Sequence, residues 1–202
     1  MKWIQSLAFA SILCGVSVSI AQAPSRGTVA IYPVIFDETG TETSRETTKK
    51  AIYEVMQKAG FKPVEERKAM AAWVNLGFAD ATMERPPTAK QLTQFGKDTG
   101  AKYVVTATVH FHTRSIWVNL GPKTISTCDV TVTIVDPKTA KIAYEKQASG
   151  RSDEKSDPIK VAGAVLISPL VTAVSGGPKT PQESRAGQIA VANALYKFVV
   201  PK

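Results

Sequence analysis

Three consecutive stretches in which polar and apolar residues alternate constrain the fold of this chain more than any other feature. The clearest is YVVTATVHFHTR, residues 103–114, and STCDVTVTIVD and IAYEKQASG follow it. Successive side chains of a β-strand point to opposite faces of a sheet, so this alternation indicates strands with one buried face. The segments NLGP and DPKTAK between them have turn composition. We therefore predict an antiparallel meander of three strands.

The first turn of this meander predicts its register. If the chain turns about Gly121-Pro122, Arg114 lies opposite Asp129. This register keeps the apolar faces of both strands together, as a half-buried sheet requires. It predicts a structural pair between Arg114 and Asp129.

The residues before the meander alternate between strand-like and helix-like periods. Val29–Phe36 is apolar without sustained alternation, which is typical of a strand buried on both faces. A helical period follows from residue 44 to a glycine at position 60, and FKPVEE is a short strand whose proline favours a sheet edge or the end of a strand. Two further helices are predicted over Glu66–Leu76 and Thr88–Asp98.

After the meander, the apolar segment Ile159–Val174 contains Pro169 and favours a kinked core helix, and a last helix is predicted over about Pro181 to Val199. The whole order predicts an α/β (α+β) sandwich of three or two layers. Its mixed sheet ends in the antiparallel meander, with helices packed on it. Residues 24–202 then form a single domain with two C-terminal helices.

The amino terminus has the composition of a secretory signal peptide. A short basic start precedes Leu7–Val18, an apolar stretch too short to span a bilayer comfortably, and small residues follow it. We predict a signal peptide over residues 1–21, cleaved after Ala21. Cleavage after Ala23 and an uncleaved membrane anchor are the alternatives.

Export constrains the location and the class of partner. Bacterial lipidation needs a small residue before the cysteine, and Leu13 precedes Cys14, so we expect a periplasmic or secreted protein that is not lipidated. Loss of residues 1–21 removes one positive charge, that of Lys2, and lowers the net charge from +8 to +7. The remaining Lys and Arg residues are scattered, and an exported protein does not meet nucleic acid, so we expect no nucleic-acid partner and no transmembrane segment in the mature chain.

Four stretches resemble the superfamily of bacterial envelope proteins that includes CsgG, LpoB and the amino-terminal domain of TolB. VAIYPVIFDETG resembles its first strand and acidic Thr-Gly turn, and GFKPVEERKAM resembles its second strand and the following helix. DTGAKYVVTATV is similar to the entry to its third strand, and VTIVDPKTAKIAYEKQASG to its strand–turn–strand hairpin. The resemblance covers about residues 28–150. It implies one mixed α/β domain in which the acidic turn is a connection and not a catalytic site.

The sequence also departs from this family. Ala107 and Ala140 stand where glycine is usual, the lipidated cysteine of CsgG and LpoB is absent, and no alternating apolar segment is long enough for the membrane-crossing hairpins of the channel-forming members. Pore formation therefore does not carry over. The resemblance implies a non-enzymatic envelope protein, either a binding module or an accessory for assembly or secretion. Its partners would be other envelope proteins, and its oligomeric state is left open.

Candidate catalytic residues are few. His110 and His112 share one strand face, about 7 Å apart, but a zinc site needs a third ligand, so we expect both to be exposed and metal-free. Cys128 is the sole cysteine after cleavage and continues an apolar row, which predicts a buried hydrophobic side chain and no disulfide.

G-x-S-x-G, H-E-x-x-H and P-loop motifs are absent. We expect no catalytic residue, no cofactor and no enzyme activity. The alternative is a small-ligand- or metal-dependent enzyme on the polar face that carries the two histidines, Arg114 and Asp129.

Two segments are candidates for partner binding. The aperiodic stretch FADATMERPP, residues 78–87, predicts a loop, and loops on a rigid scaffold often carry binding, which makes Met83 and Arg85 candidates. Trp117 lies beside the first turn of the meander, where there is little core to fill, and aromatic residues are favoured anchors at interfaces. The alternatives are a plain connector for the loop and a Trp117 side chain folded back over the sheet edge.

Overall fold

The computed structural model describes residues 26–118, 121–153 and 180–199. Within them, five strands and four helices follow one another along the chain. In order they are β1 (Gly27–Phe36), α1 (Glu42–Lys58), β2 (Phe61–Pro63), α2 (Glu66–Asn75), α3 (Ala89–Thr99), β3 (Tyr103–Val118), β4 (Gly121–Asp136), β5 (Lys141–Asp153) and α4 (Thr180–Val199).

The five strands form one mixed sheet in the order β2-β1-β3-β4-β5. The strands β2, β1 and β3 are parallel to each other, and β3, β4 and β5 are antiparallel neighbours. The short strand that contains Pro63 lies at the edge of the sheet, as its composition predicts, because a proline there costs no ladder hydrogen bond on the open side. The predicted α/β class and the antiparallel meander are confirmed.

Helices cover both faces of the sheet, so the domain has three layers. On one face, α1 and α4 pack on the apolar row of β3 and its neighbours; the buried residues there include Ile52, Met56, Val105, Val109, Phe111, Val130, Val132, Val191 and Leu195. On the other face, α2 and α3 pack on the sheet through Trp73, Leu92, Phe95, Val104 and Val135. Buried apolar area of this kind is the main stabilising contribution to a domain without a disulfide.

Local signals in the sequence explain where the helices begin and end. The side chain of Thr41 caps α1 by accepting a hydrogen bond from the N–H of Ser44. Thr88 and Gln91 form a reciprocal capping box at the start of α3, and Gly100 ends that helix in the left-handed conformation that glycine adopts without steric cost. These boundaries agree with the predicted ones to within about two residues.

The predicted register of the β3–β4 hairpin is wrong by four residues. The chain turns between Val118 and Gly121, two residues before the predicted turn, so that Val118 pairs with Gly121. In this register His110, not Arg114, lies opposite Asp129. Arg114 instead lies opposite Ile125. A shift of four residues leaves every side chain on the same face, so the alternation of apolar residues does not distinguish the two registers.

Two predicted segments lie outside the described residues: the signal peptide over 1–21 and the apolar segment over 159–174. Of the two predicted C-terminal helices, the described residues contain α4. Among the helices that the structure describes, none has the length and the apolar character needed to cross a membrane.

Candidate functional site

The β3–β4 hairpin extends beyond the neighbouring strands. The last residue of β1, Phe36, pairs with Val109, and the pairing between β4 and β5 ends at Ile125. Residues 115–118 and 121–124, which we call the hairpin arm, therefore pair only with each other among the residues that the structure describes. The arm is a two-stranded projection from a three-layer body.

Trp117 is the most exposed large apolar side chain in the described residues. It lies on the hairpin arm opposite Pro122, and 83% of its surface is accessible, compared with 64% for Val74 and 38% for Met83. The side chain is not folded back over the sheet edge, which was the alternative. An indole in this position has neither packing nor a hydrogen-bond partner among the described residues.

The loop over residues 78–87 lies elsewhere on the molecule. A turn in which Thr82 and Arg85 exchange backbone hydrogen bonds shapes it, and Arg85 is exposed. Met83 lines a cleft of about 350 Å³ whose floor includes Thr108 of β3. Trp117 is nine residues further along the same strand, which corresponds to about 30 Å. The structure does not bring the two candidate binding segments together.

The two histidines each contact a carboxylate. His110 Nδ1 contacts Asp37 Oδ2, and the same oxygen accepts a 2.6 Å hydrogen bond from the hydroxyl of Thr39. Asp37 is 11% exposed at its side chain and stands directly after β1. His112 Nε2 lies 3.8 Å from Asp129 Oδ2, and the two imidazole rings make an edge-to-face contact at 4.1 Å. His110 is half-buried and His112 exposed.

This arrangement does not match the geometry of a nucleophilic site. Ser149 donates its hydroxyl hydrogen to Asp129, so that the hydroxyl and the imidazole of His112 both contact the carboxylate and not each other. In a catalytic triad the hydroxyl contacts the imidazole, which takes its proton. No group of three or more His, Cys, Asp and Glu side chains in the described ranges is arranged to hold a metal ion.

Cys128 lies in the core, as its apolar row predicts. It has no exposed surface, and burial, followed by the charge of the adjacent Asp129, raises the pKa of the Cys128 thiol far above its ordinary value. Since the thiolate is the reactive form, this thiol is chemically inert.

Glu183, in the first turn of α4, is a buried carboxylate that sequence reasoning did not find. It is 5% exposed and accepts hydrogen bonds from the backbone N–H of Thr41 at 3.0 Å, from the Thr113 hydroxyl at 2.8 Å and from the Ser44 hydroxyl at 3.2 Å. Burial opposes the ionisation of Glu183, but these donors outweigh it and lower its pKa. The carboxylate thus ties α4 to the start of α1 and to β3. Its only sequence signal is an acidic residue in the first turn of a predicted helix.

A cleft of about 610 Å³ opens beside Glu183, where the turn after β1 meets β3. Gly40 and Phe111 form one wall, and a side-chain carbon at Gly40 would lie only 2.5 Å from the Phe111 ring. The guanidinium-bearing residues Arg114 and Arg151 line the other side. Arg114 was predicted as a partner of Asp129, and Arg151 was not singled out. Arg151 directly follows the predicted third meander strand, IAYEKQASG, so the alternation carries no signal for it.

Comparison with known proteins gives structural neighbours. No protein-family model matches the chain, and no curated protein matches it. The structure is similar to that of the hypothetical protein CT253 from Chlamydia trachomatis, with a TM-score of 0.51 and 12% identity over 87% of this chain and 96% of that one. It is also similar to lipoprotein GNA1162 from Neisseria meningitidis, with a TM-score of 0.47 and 14% identity over 74% of this chain and 96% of that one. The C-terminal domain of LpoB from Escherichia coli matches with a TM-score of 0.39 and 14% identity over 61% of this chain and 81% of that one.

The similarity to CT253 shows a shared fold. Identity of 12% does not transfer a function, because one fold serves many unrelated functions. LpoB, which the sequence resemblance names, is among the matching structures. What the protein does therefore has to be argued from its own surface.

Proposed function

We propose that this protein is an exported, non-enzymatic accessory protein of the cell envelope that binds another envelope protein through its hairpin arm. The observation that carries the proposal is the 83% exposure of Trp117 at the arm. An indole left in water forgoes the burial of a large apolar surface, which a partner with a matching pocket would recover. Tryptophan is enriched among the residues that dominate interface energetics.

The shape of the arm supports this proposal. Isolated two-stranded hairpins are marginally stable in water, and the arm extends past β1 and β5 with both of its edges unpaired among the described residues. Unpaired edges present backbone N–H and C=O groups that an extended segment of a partner can bind. The same arm thus offers an aromatic anchor and a backbone edge.

The composition of the arm indicates what kind of partner surface fits it. Its eight residues carry one charge, that of Lys123, and otherwise combine Trp117 with small, β-branched and hydroxyl-bearing residues. We infer an apolar groove on the partner that takes up Trp117. Placement of both proteins in the envelope rests on the predicted signal peptide.

The test is capture of a partner from a periplasmic extract by cross-linking to purified protein, followed by identification of the captured protein by mass spectrometry. Trp117→Ala removes the anchor, and we expect capture to fall about tenfold, equivalent to about 1.4 kcal/mol. Val74→Ala is the matched control, since Val74 is a large apolar residue, 64% exposed, that lies on α2. Equal capture by the wild type and the Trp117 variant would overturn the proposal, as would capture by neither.

A further inference from the structure

We propose that the cleft beside Glu183 binds the phosphate group of a small ligand through Arg114 and Arg151. This inference goes beyond the proposed function and is independent of it, because Trp117 does not line the cleft. Four features carry it: the placement of the two arginines, their lack of partners, the state of the nearby carboxylates and the size of the cleft.

The strand register brings the two arginines to one place. His112 pairs with Thr127 across β3 and β4, and Thr127 pairs with Arg151 across β4 and β5, so these three residues form one row on one face of the sheet. Arg114 is two residues from His112 and shares that face. Arg114 lies on β3 and Arg151 on β5, so two strand spacings across the sheet and two residues along the strand separate them. This places their Cα atoms about 12 Å apart. Two long side chains at that distance can contact one group held between them.

Neither guanidinium is engaged. Arg114 and Arg151 are exposed, and neither forms an ion pair or a hydrogen bond with another residue in the part of the chain that the structure describes. A guanidinium presents several N–H donors in a planar fork, and it binds phosphate and carboxylate groups with two parallel hydrogen bonds. Two guanidinium groups without partners in one cleft give the cleft a net positive potential and many hydrogen-bond donors.

The nearby carboxylates offset only part of this charge. Both oxygens of Glu183 already accept hydrogen bonds from α1 and β3. Asp129 is contacted by Ser149 and lies 3.8 Å from His112. Glu183 thus contributes one negative charge against the two positive charges of the arginines, and its oxygens are occupied by other donors. The imidazole of His112, which lines the cleft, is a further donor toward a bound anion.

The cleft has room for more than an inorganic ion. Its volume of about 610 Å³ lies within the range of small-molecule sites. Besides the arginines it is lined by threonine residues, including Thr39 and Thr127, while Phe111 and Ile125 beside them are almost fully buried. A tetrahedral phosphate gives both guanidinium groups oxygens to bind at once. A phosphorylated sugar or a ligand of similar size would then place its uncharged part against the threonine residues of the cleft.

The test is calorimetric titration of the purified protein, at constant ionic strength, with inorganic phosphate, glucose 6-phosphate and glucose. We expect saturable binding of both phosphates and no binding of glucose. Arg114→Gln and Arg151→Gln should each weaken binding of both phosphates about tenfold, while circular dichroism shows an unchanged fold because both side chains are exposed. If glucose 6-phosphate binds more tightly than phosphate, the site serves a phosphorylated ligand; if phosphate binds more tightly, the site serves the free ion.

Arg67→Gln is the matched control, because it removes the same charge from the exposed surface of α2, outside the cleft, and should leave binding unchanged. Trp117→Ala should also leave it unchanged, which separates this site from the hairpin arm. The proposal is overturned if neither phosphate binds saturably, or if Arg67→Gln weakens binding as much as the cleft variants do. Binding of glucose that is insensitive to Arg114→Gln and Arg151→Gln would equally overturn it.

Discussion

The carboxylate of Glu183 accepts a 3.0 Å hydrogen bond from the backbone N–H of Thr41, which joins the first turn of α4 to the N-cap of α1. These residues are 142 positions apart in the chain. The contact places a negative charge at the positive end of the α1 dipole and satisfies a backbone donor that the helix itself leaves unpaired. The carboxylate therefore contributes to stability through charge and through hydrogen bonds.

We predict that Glu183→Gln destabilises the fold by about 1–3 kcal/mol at pH 7, the range for buried hydrogen bonds to a charged group. The folded state lowers the pKa of Glu183 below its ordinary value of 4.5, so the stabilisation is fully present above that value and is lost as the pH falls through the lowered pKa. Urea unfolding of both proteins from pH 7 down to pH 3 measures this difference.

The control is Glu84→Gln, which changes an exposed carboxylate in the loop over residues 78–87. It should leave stability within about 0.5 kcal/mol of the wild type at every pH. A difference between wild type and Glu183→Gln that stays constant from pH 7 to pH 3 would show that the ionised carboxylate is not what stabilises the fold.

The periodicity of the sequence predicts most of the fold, for a physical reason. In β3 the row from Tyr103 to Phe111 contacts the core beneath α1 and α4, the starts of α1 and α3 carry side-chain caps, and Gly100 ends α3. These features are local, so a pattern of a few residues determines them. The position of β2 at the edge of the sheet is indicated by its proline.

The parts that were not predicted depend on residues far apart in the chain. The hairpin register is set by where β3 turns, and a shift of an even number of residues preserves the apolar face, so Asp129 was assigned to Arg114 instead of His110. The contact between His110 and Asp37 joins β3 to the turn after β1, and that between Glu183 and Thr41 joins α4 to the N-cap of α1. No sequence period relates such residues to each other.

We predict effects of very different size on stability for substitutions of two tryptophans. Trp117→Ala should change the free energy of unfolding by less than about 0.5 kcal/mol, because an 83% exposed side chain buries little area. Trp73→Ala should cost about 3–5 kcal/mol, because Trp73 is 2% exposed and packs edge-to-face on Tyr32, Phe78 and Phe95. Chemical denaturation measures both. A Trp117 variant that unfolds as readily as the Trp73 variant would mean that the indole packs on the protein.

We predict that protein purified without chelator contains no stoichiometric zinc. His110 and His112 are each next to a carboxylate, and the described residues place no third ligand with them in a metal-binding arrangement. Elemental analysis by mass spectrometry measures the metal content, and a His110→Ala, His112→Ala double variant is the control. One zinc per chain that disappears in the double variant would contradict this prediction and would favour the metal-dependent enzyme that the polar face offers as an alternative.

The contact between α1 and α4 gives the last prediction, because it depends on the absence of a side chain at Gly187. A Cβ atom there would lie 2.0 Å from Thr48 Oγ1 and 3.1 Å from Thr48 Cβ. In an open helix, Gly→Ala would stabilise by about 1 kcal/mol. Here we expect Gly187→Ala to destabilise by about 1–3 kcal/mol, since Thr48 is fully buried and its hydroxyl donates to Ser44 O at 2.8 Å.

Thr48→Ala removes the clashing oxygen and so separates this mechanism from a general effect of the substitution. In the Gly187→Ala, Thr48→Ala double variant, part of the penalty should disappear, with a coupling free energy of about 1 kcal/mol or more in a double-mutant cycle. The two remaining Cβ atoms would still be close, so the recovery is partial. Urea unfolding of the four proteins gives the cycle. Additive effects would show that the penalty does not arise from Thr48, and a Gly187→Ala protein more stable than the wild type would show that α1 and α4 can separate at this point without cost.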